Sequence, residues 1–356
     1  MRLALLAAAA AMSYGCSTSP KPNLPTSGAT PESRSTTALR EATITPEPKY
    51  SLQRPGGEKL IGVGRQAGHF STPYVVVGSA DRSALHRFQA STGTYQDEFG
   101  LDLPDGKTLG RPQALAAFAQ EFWVADGTSG TLHQFHGFDP RYVESLTHAA
   151  LQSPIVQLHV AGGKSGRLLF ILDRHGDQLK LHRFETRLRR APAPDQPDRI
   201  QLDELTSLDL GQLQGVPSLL FDADRERLVL IHGPEVKSWN LGLEEQTAPF
   251  QPEEPRGDRI GAGLLACNAS LDKGYWFVAD SNPDGTIVHF FRYDDGQRRA
   301  TMTLRGTDWS TGFLFDRSNM ALFPRGAVFA VENERELRGY AWDEIVRNVG
   351  LRAHCF

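Results

Sequence analysis

One pattern recurs along this chain and limits what it can fold into. Tyr275-Trp276-Phe277-Val278-Ala279-Asp280 is apolar on both faces, Ser281-Asn282-Pro283-Asp284-Gly285 is turn chemistry, and Thr286 to Tyr293 is a return run of β-branched and aromatic residues. Proline presets φ for the turn and glycine accepts a positive one, so the stretch reads as a β-hairpin. A lone hairpin cannot bury that much apolar surface; it needs copies of itself. The closest copy is Glu121-Phe122-Trp123-Val124-Ala125-Asp126 with its return Thr131 to Phe135. Others are Tyr74 to Gly78 with Ala84 to Phe88, Leu168 to Asp173 with Leu179 to Phe184, Leu228 to Ile231 with Val236 to Trp239, and Ala327 to Val331 with Leu337 to Trp342.

The apolar runs that open these six units begin at 74, 122, 168, 228, 275 and 327, in steps of 48, 46, 60, 47 and 52. An all-β period of roughly 40 to 50 residues is the signature of propeller blades. A less apolar strand precedes most hairpins (113–118, 155–160, 216–221, 263–267, 311–315) and reads as the inner strand beside the channel. An outer strand follows, as at 299–304. The expectation is an all-β fold, a six-bladed β-propeller with four-stranded antiparallel blades. Two stacked β-sandwiches are the alternative; the even spacing and the repeated Val-Ala-Asp ending favour the ring.

The 356 residues suffice for one such ring and its core. Residues 1–16 read as a targeting segment: Arg2, a short apolar core from Leu3 to Met12, then Ser13-Tyr14-Gly15-Cys16. The core is too short to span a bilayer as a mature helix. The last four residues resemble a bacterial lipobox with Cys16 as the lipidated N-terminus, although Ser13 replaces the usual apolar residue; ordinary secretion is the alternative. Ser17 after the cysteine points to the outer membrane. Residues 17–40, rich in Ser, Thr, Pro and Gly, read as a disordered tether, and 41–356 as the propeller. Within it, Ala42 to Thr45 is expected to supply the outer strand of the last blade, because Trp342 is followed by a helical pattern, Asp343 to Arg347. Joining the two ends of the chain hides two sheet edges. The long step after 168 carries an insertion, Arg187 to Pro197, of loop composition.

Lysine and arginine number 38 against 42 acids, with no basic run, which excludes nucleic acid as a partner class. With Cys16 lipidated, Cys267 and Cys355 remain, and export permits a disulfide between them. Closing that loop of roughly 90 residues would contribute about 4 to 5 kcal/mol in the chain-entropy model; two free thiols are the alternative. No G-x-S-x-G, H-E-x-x-H, P-loop or paired C-x-x-C is present. What recurs is an acid ending the second strand: Asp126, Asp173, Asp280, then Glu332 with Glu334. Carboxylates gathered on one rim can hold a hard cation such as Ca²⁺. Equally, each can accept backbone N–H bonds in its own turn. His86, His133, His182 and His289 share one register of the return strand and read as a structural layer.

Gly274-Tyr275-Trp276, Phe323-Pro324-Arg325-Gly326-Ala327-Val328-Phe329-Ala330-Val331 and Tyr340-Ala341-Trp342-Asp343-Glu344-Ile345 resemble recurring phrases of the bacterial phytase-like β-propeller (3-phytase) family. The blade-four phrase, Val216-Pro217-Ser218 through Asp222 and Arg227 to Ile231, matches more loosely. The resemblance implies a six-bladed ring. In active members it implies Ca²⁺ ions in the channel that bind the phosphates of myo-inositol hexakisphosphate and activate a water. It also implies acids at three inner-strand positions that are Ala262, Thr311 and Pro217-Ser218 here, and a His-Asp-Asp stretch that is Glu332-Asn333-Glu334 here. Losing carboxylates weakens the hold on Ca²⁺. The expectation is therefore an exported, lipid-anchored propeller with an eroded metal site. It would serve as a binding or scaffold module for an envelope protein or a phosphorylated small molecule. The alternative is a Ca²⁺-dependent phosphomonoesterase.

Overall fold

The computed structural model describes residues 39–53, 57–66, 73–151, 154–163, 166–189, 199–212, 216–252, 254–266 and 274–351. Cys16, Cys267, Cys355 and the tether through residue 38 lie outside them. The described residues form one compact unit.

Six sheets follow one another along the chain, each with four antiparallel strands, and one of them gains a fifth, parallel strand. Blade one is built from Leu60–Gln66, Tyr74–Ser79, Ala84–Gln89 and Tyr95–Phe99. Blade two comprises Pro112–Phe118, Glu121–Asp126, Leu132–His136 and Tyr142–Leu146. Blade three comprises Ile155–Gly162, Arg167–His175, Gln178–Arg189 and Arg199–Gln212. Blade four comprises Ser218–Asp222, Arg227–His232, Glu235–Asn240 and Glu245–Gln246. Blade five comprises Asp258–Ala266, Gly274–Asn282, Gly285–Arg292 and Arg298–Arg305. Blade six takes Phe313–Asp316, Ala327–Glu332 and Glu336–Ala341. Its fourth strand comes from the other end of the chain. The protein is a six-bladed β-propeller.

The doubly apolar second strands explain why the blades need one another. In blade two, Phe122 and Val124 pack against Val76, Leu85 and Phe99 of blade one. Trp123 and Ala125, on the other face of the same strand, pack against Leu169 and Ile171 of blade three. The same division holds around the ring. Six apolar clusters occupy the six junctions between neighbouring blades among the described residues. Inner strands approach closely enough to exclude side chains: a Cβ on Gly62 would lie 2.3 Å from the carbonyl of Gln113, and one on Gly261 would lie 2.5 Å from the Phe313 ring.

Ring closure differs from expectation in one respect. The expected closing stretch, Ala42 to Thr45, belongs to β1 (Arg40–Ile44), which runs parallel to the outer strand of blade five with Arg40 opposite Ala300 and Ile44 opposite Leu304. The last blade is closed by β2 (Tyr50–Gln53), antiparallel to Glu336–Ala341. The reason is packing. Ala42 and Ile44 rest on the cluster between blades five and six, whereas Tyr50 and Leu52 fit the one between blades six and one. The Tyr50 ring lies 5.7 Å from that of Phe323, and its hydroxyl donates to the Ala90 carbonyl of blade one at 3.2 Å. Helix α1 (Trp342–Arg347) follows, as the sequence pattern anticipates.

The blade-three insertion is also corrected in part. Arg187, Leu188 and Arg189 continue the third strand, paired with Gln201, Ile200 and Arg199, because the outer strand is long enough to partner them. Residues 190–198 lie outside the described set.

Candidate functional site

Strand register decides where the recurrent acids go. Asp126, Asp173, Asp280 and Glu332 each stand near the hairpin end of a second strand, on one rim of the ring, as the sequence repeat implies. All four are buried. Each is engaged by its own blade or the segment leading into it. Asp126 accepts from the backbone N–H groups of Arg111 and Thr128, both at 2.8 Å, and from Ser129 Oγ at 2.6 Å. Burial opposes ionisation of Asp126, but these donors outweigh it and hold the carboxyl below its ordinary range.

Asp280 sits at the centre of a stronger network. Arg259 Nε donates to Oδ1 at 2.5 Å, the Arg256 N–H donates to Oδ2 at 3.1 Å, and His289 Nε2 lies 3.2 Å from Oδ2. Burial again opposes ionisation, and His289 and Arg259 overcome it, so this carboxyl too is lowered. Arg259 is itself buried and donates onward to the Gly233 carbonyl in the turn of blade four. In blade six, Glu332 accepts from Tyr340 Oη at 2.5 Å and from Arg338 at 2.8 Å. Burial there prevails over both and raises the carboxyl. Glu334 is exposed in the adjoining turn and pairs with Lys59 at 2.7 Å.

The histidines of the shared register form the other half of this layer. His182 Nε2 lies 3.1 Å from Asp173, and its Nδ1 lies 2.8 Å from Glu204 on the outer strand. His289 and His133 meet hydroxyls on that outer strand instead, Thr301 at 3.1 Å and Ser145 at 2.8 Å. Acid, histidine and outer-strand partner thus cross three strands in blades three and five, which is the structural layer the repeat suggested. A shared ion site is not assembled from Asp126, Asp173, Asp280, Glu332 and Glu334. Among the described residues the one group of metal-ligating side chains drawn within a common small radius is elsewhere, at Glu58, His86 and Glu98 of blade one. Sequence reading placed His86 in the layer and missed both glutamates. The available signal was Gly78-Ser79, where the repeat's acid is lost and a carboxylate must come from another segment.

The channel wall tells a similar story. The six inner strands carry three carboxylates, Asp222, Asp258 and Asp316, each at a strand end. Asp222 is buried, held by Arg227 Nε at 2.9 Å and by Tyr293 Oη at 2.7 Å. Asp316 is buried, with Arg65 Nε 2.8 Å away. Ala262 and Leu264, between these ends, rest on the apolar cluster of blades four and five.

No family model and no curated protein matches this chain in sequence. Among solved structures it is similar to a chain of a structure titled "Crystal Structure of Mitotic Checkpoint Complex", with a TM-score of 0.49 and 10% identity, over 83% of this chain and 94% of that one.

The buried histidines set a pH dependence. Burial pushes His133 down to about 4, with Asp126 opposing and Lys107 adding to the fall. Burial also lowers His159 and His232. Each stays neutral in the fold while its unfolded counterpart takes up a proton below about 6.5. The stability they contribute is therefore lost as pH falls below that value, down to about 4 for His133. His182 works in the opposite sense: burial lowers it, but Asp173 and Glu204 outweigh burial and raise it. Its contribution is full below about 6.5 and fades as pH rises. His133, His159 and His232 act against His182 and against Glu332, whose raised carboxyl takes up its proton in the fold first, and the balance is a loss on acidification. The unfolding free energy is expected to fall as pH is lowered from about 6.5 to about 4.5, and the slope is expected to shrink in His133→Asn.

Proposed function

We propose that this propeller is a rigid, non-hydrolytic binding scaffold, exported and held at the cell envelope by a lipid on Cys16, and that its likeness to phytase-like propellers is one of architecture. The observation that carries this reading is the channel wall. Hydrolysis in that family needs several cations held together, one to clamp a phosphate and another to lower the pKa of the attacking water. Here Ala262, Thr311 and Ser218 supply no carboxylate. Asp222 and Asp316 are occupied by Arg227, Tyr293 and Arg65. Asp280 and Glu332 are occupied by Arg259, Tyr340 and Arg338. What such a ring offers is a stiff surface for an envelope protein or a phosphorylated small molecule.

Phosphate release from myo-inositol hexakisphosphate in millimolar Ca²⁺ is expected to match the enzyme-free blank, with an active phytase-like propeller run alongside. Release near that control's rate, abolished in Asp280→Asn, would instead establish the Ca²⁺-dependent phosphomonoesterase. The anchor is tested separately: Cys16→Ser is expected to move the protein from the membrane fraction to the soluble one, since acyl chains at that site supply the binding.

A further inference from the structure

Blade one breaks the rim pattern in a way that builds something new. Ser79 occupies the place of Asp126, Asp173 and Asp280. The carboxylate beside the buried His86 comes instead from Glu58, in the segment leading into the inner strand. Glu58 Oε2 lies 3.0 Å from His86 Nε2 and 3.4 Å from Ser79 Oγ. The outer strand then sets Glu98 directly opposite His86, where blades two and five have hydroxyls. One donor atom from each of Glu58, His86 and Glu98 lies within 4.8 Å of the others.

A positive group already marks the point on which the two carboxylates converge. Arg82, from the hairpin turn, places one guanidinium nitrogen 3.2 Å from Glu58 Oε1 and 3.2 Å from Glu98 Oε1. The arginine side chain is 43% exposed, the glutamates 13% and 15%. The guanidinium can therefore swing into water while the carboxylates and the imidazole stay in place. In blade three, with Asp173 and Glu204 about His182, Arg174 near the end of the second strand bonds the Gly176 carbonyl and Asp177 instead.

We propose that Glu58, His86 and Glu98 form a binding site for a divalent metal of the Zn²⁺ class, with Arg82 as a displaceable stand-in for the ion. One imidazole nitrogen with two carboxylate oxygens is a donor set that suits Zn²⁺ and its first-row neighbours. Ca²⁺ asks for six or more oxygens, which this set does not provide. Three protein donors leave one position of a tetrahedral shell facing solvent on the side Arg82 covers. Ser79 Oγ stands behind Glu58 as an orienting contact. The site shares no residue with the rim carboxylates or the channel wall and stands independently of the scaffold reading.

Isothermal titration of the full chain, free of any histidine tag, with ZnCl₂ and separately with CaCl₂ tests this. The expected result is one saturable Zn²⁺ site, no Ca²⁺ uptake at it, and loss of the site in Glu58→Gln and in Glu98→Gln. Arg82→Ala is expected to tighten Zn²⁺ binding by roughly an order of magnitude, the scale on which groups touching metal ligands act. Circular dichroism melts establish that each variant is folded. Absence of saturable Zn²⁺ binding, or binding unchanged in the folded glutamine variants, overturns the proposal. Should a glutamine variant unfold, Arg82→Ala decides: Zn²⁺ affinity equal to that of the parent overturns it.

Discussion

Asp280→Ala is expected to cost about 3 to 5 kcal/mol of unfolding free energy, the usual consequence of stripping one partner from a buried ion pair. Arg259 would be left charged, buried and without its carboxylate, while still held to the Gly233 carbonyl of blade four. His289 would lose the same partner. Equilibrium denaturation in urea measures the loss. Because the pair is structural in this reading, the deficit should be the same with and without millimolar Ca²⁺. Replacing both partners, Asp280→Leu with Arg259→Met, should recover part of it, since the unpaired buried charge is gone while the Arg256 N–H, His289 and the Gly233 carbonyl still lose a partner. A deficit below about 1 kcal/mol, or a parent protein stabilised by Ca²⁺ through this residue, would return Asp280 to the role of metal ligand.

Trp342→Ala is expected to be comparably severe, about 3 to 5 kcal/mol, as for other large buried aromatics truncated to alanine. Trp342 is fully buried at the start of α1, between the last two blades. Its ring lies 5.2 Å from Phe277 and 5.8 Å from Phe290 of blade five, and 4.8 Å from Phe315 of blade six. Truncation leaves a void among side chains fixed by two sheets, which cannot collapse to fill it. Thermal melts check it, with Trp342→Phe as the milder companion. A melt for Trp342→Ala near that of the parent would mean that the helix, rather than its first residue, holds the junction.

The ring was legible because its second strands bury both faces, a pattern the Tyr275–Asp280 stretch displays without any partner in view. The closing strand was harder to assign. Arg40–Ile44 and Tyr50–Gln53 are both short and β-prone, neither repeats a motif, and only three-dimensional fit to neighbouring clusters separates them. The rim acids were placed on the proper rim, but their partners were hidden. Arg259 comes from the inner strand, 21 residues before Asp280, and Arg338 and Tyr340 from the return strand of the Glu332 hairpin, where only the strand register turns them toward the acid. Glu58 was invisible for a related reason: it belongs to no repeat unit and acts by filling in for one that lost its acid.

The seam in blade six has a temporal side. Lys49, next to β2, meets Glu344 across 295 residues of chain. A chain emerging from its N-terminus must make and hold that segment first and use it last, after five blades and most of the sixth exist. Until then the return strand of blade six has an open edge, and the junction between blades six and one lacks the cover of Tyr50 and Leu52. Assembly of the whole ring is then gated by contacts between the two ends of the described chain, which predicts slow folding governed by chain topology. It also makes the final half-blade the stage most exposed to edge-to-edge aggregation.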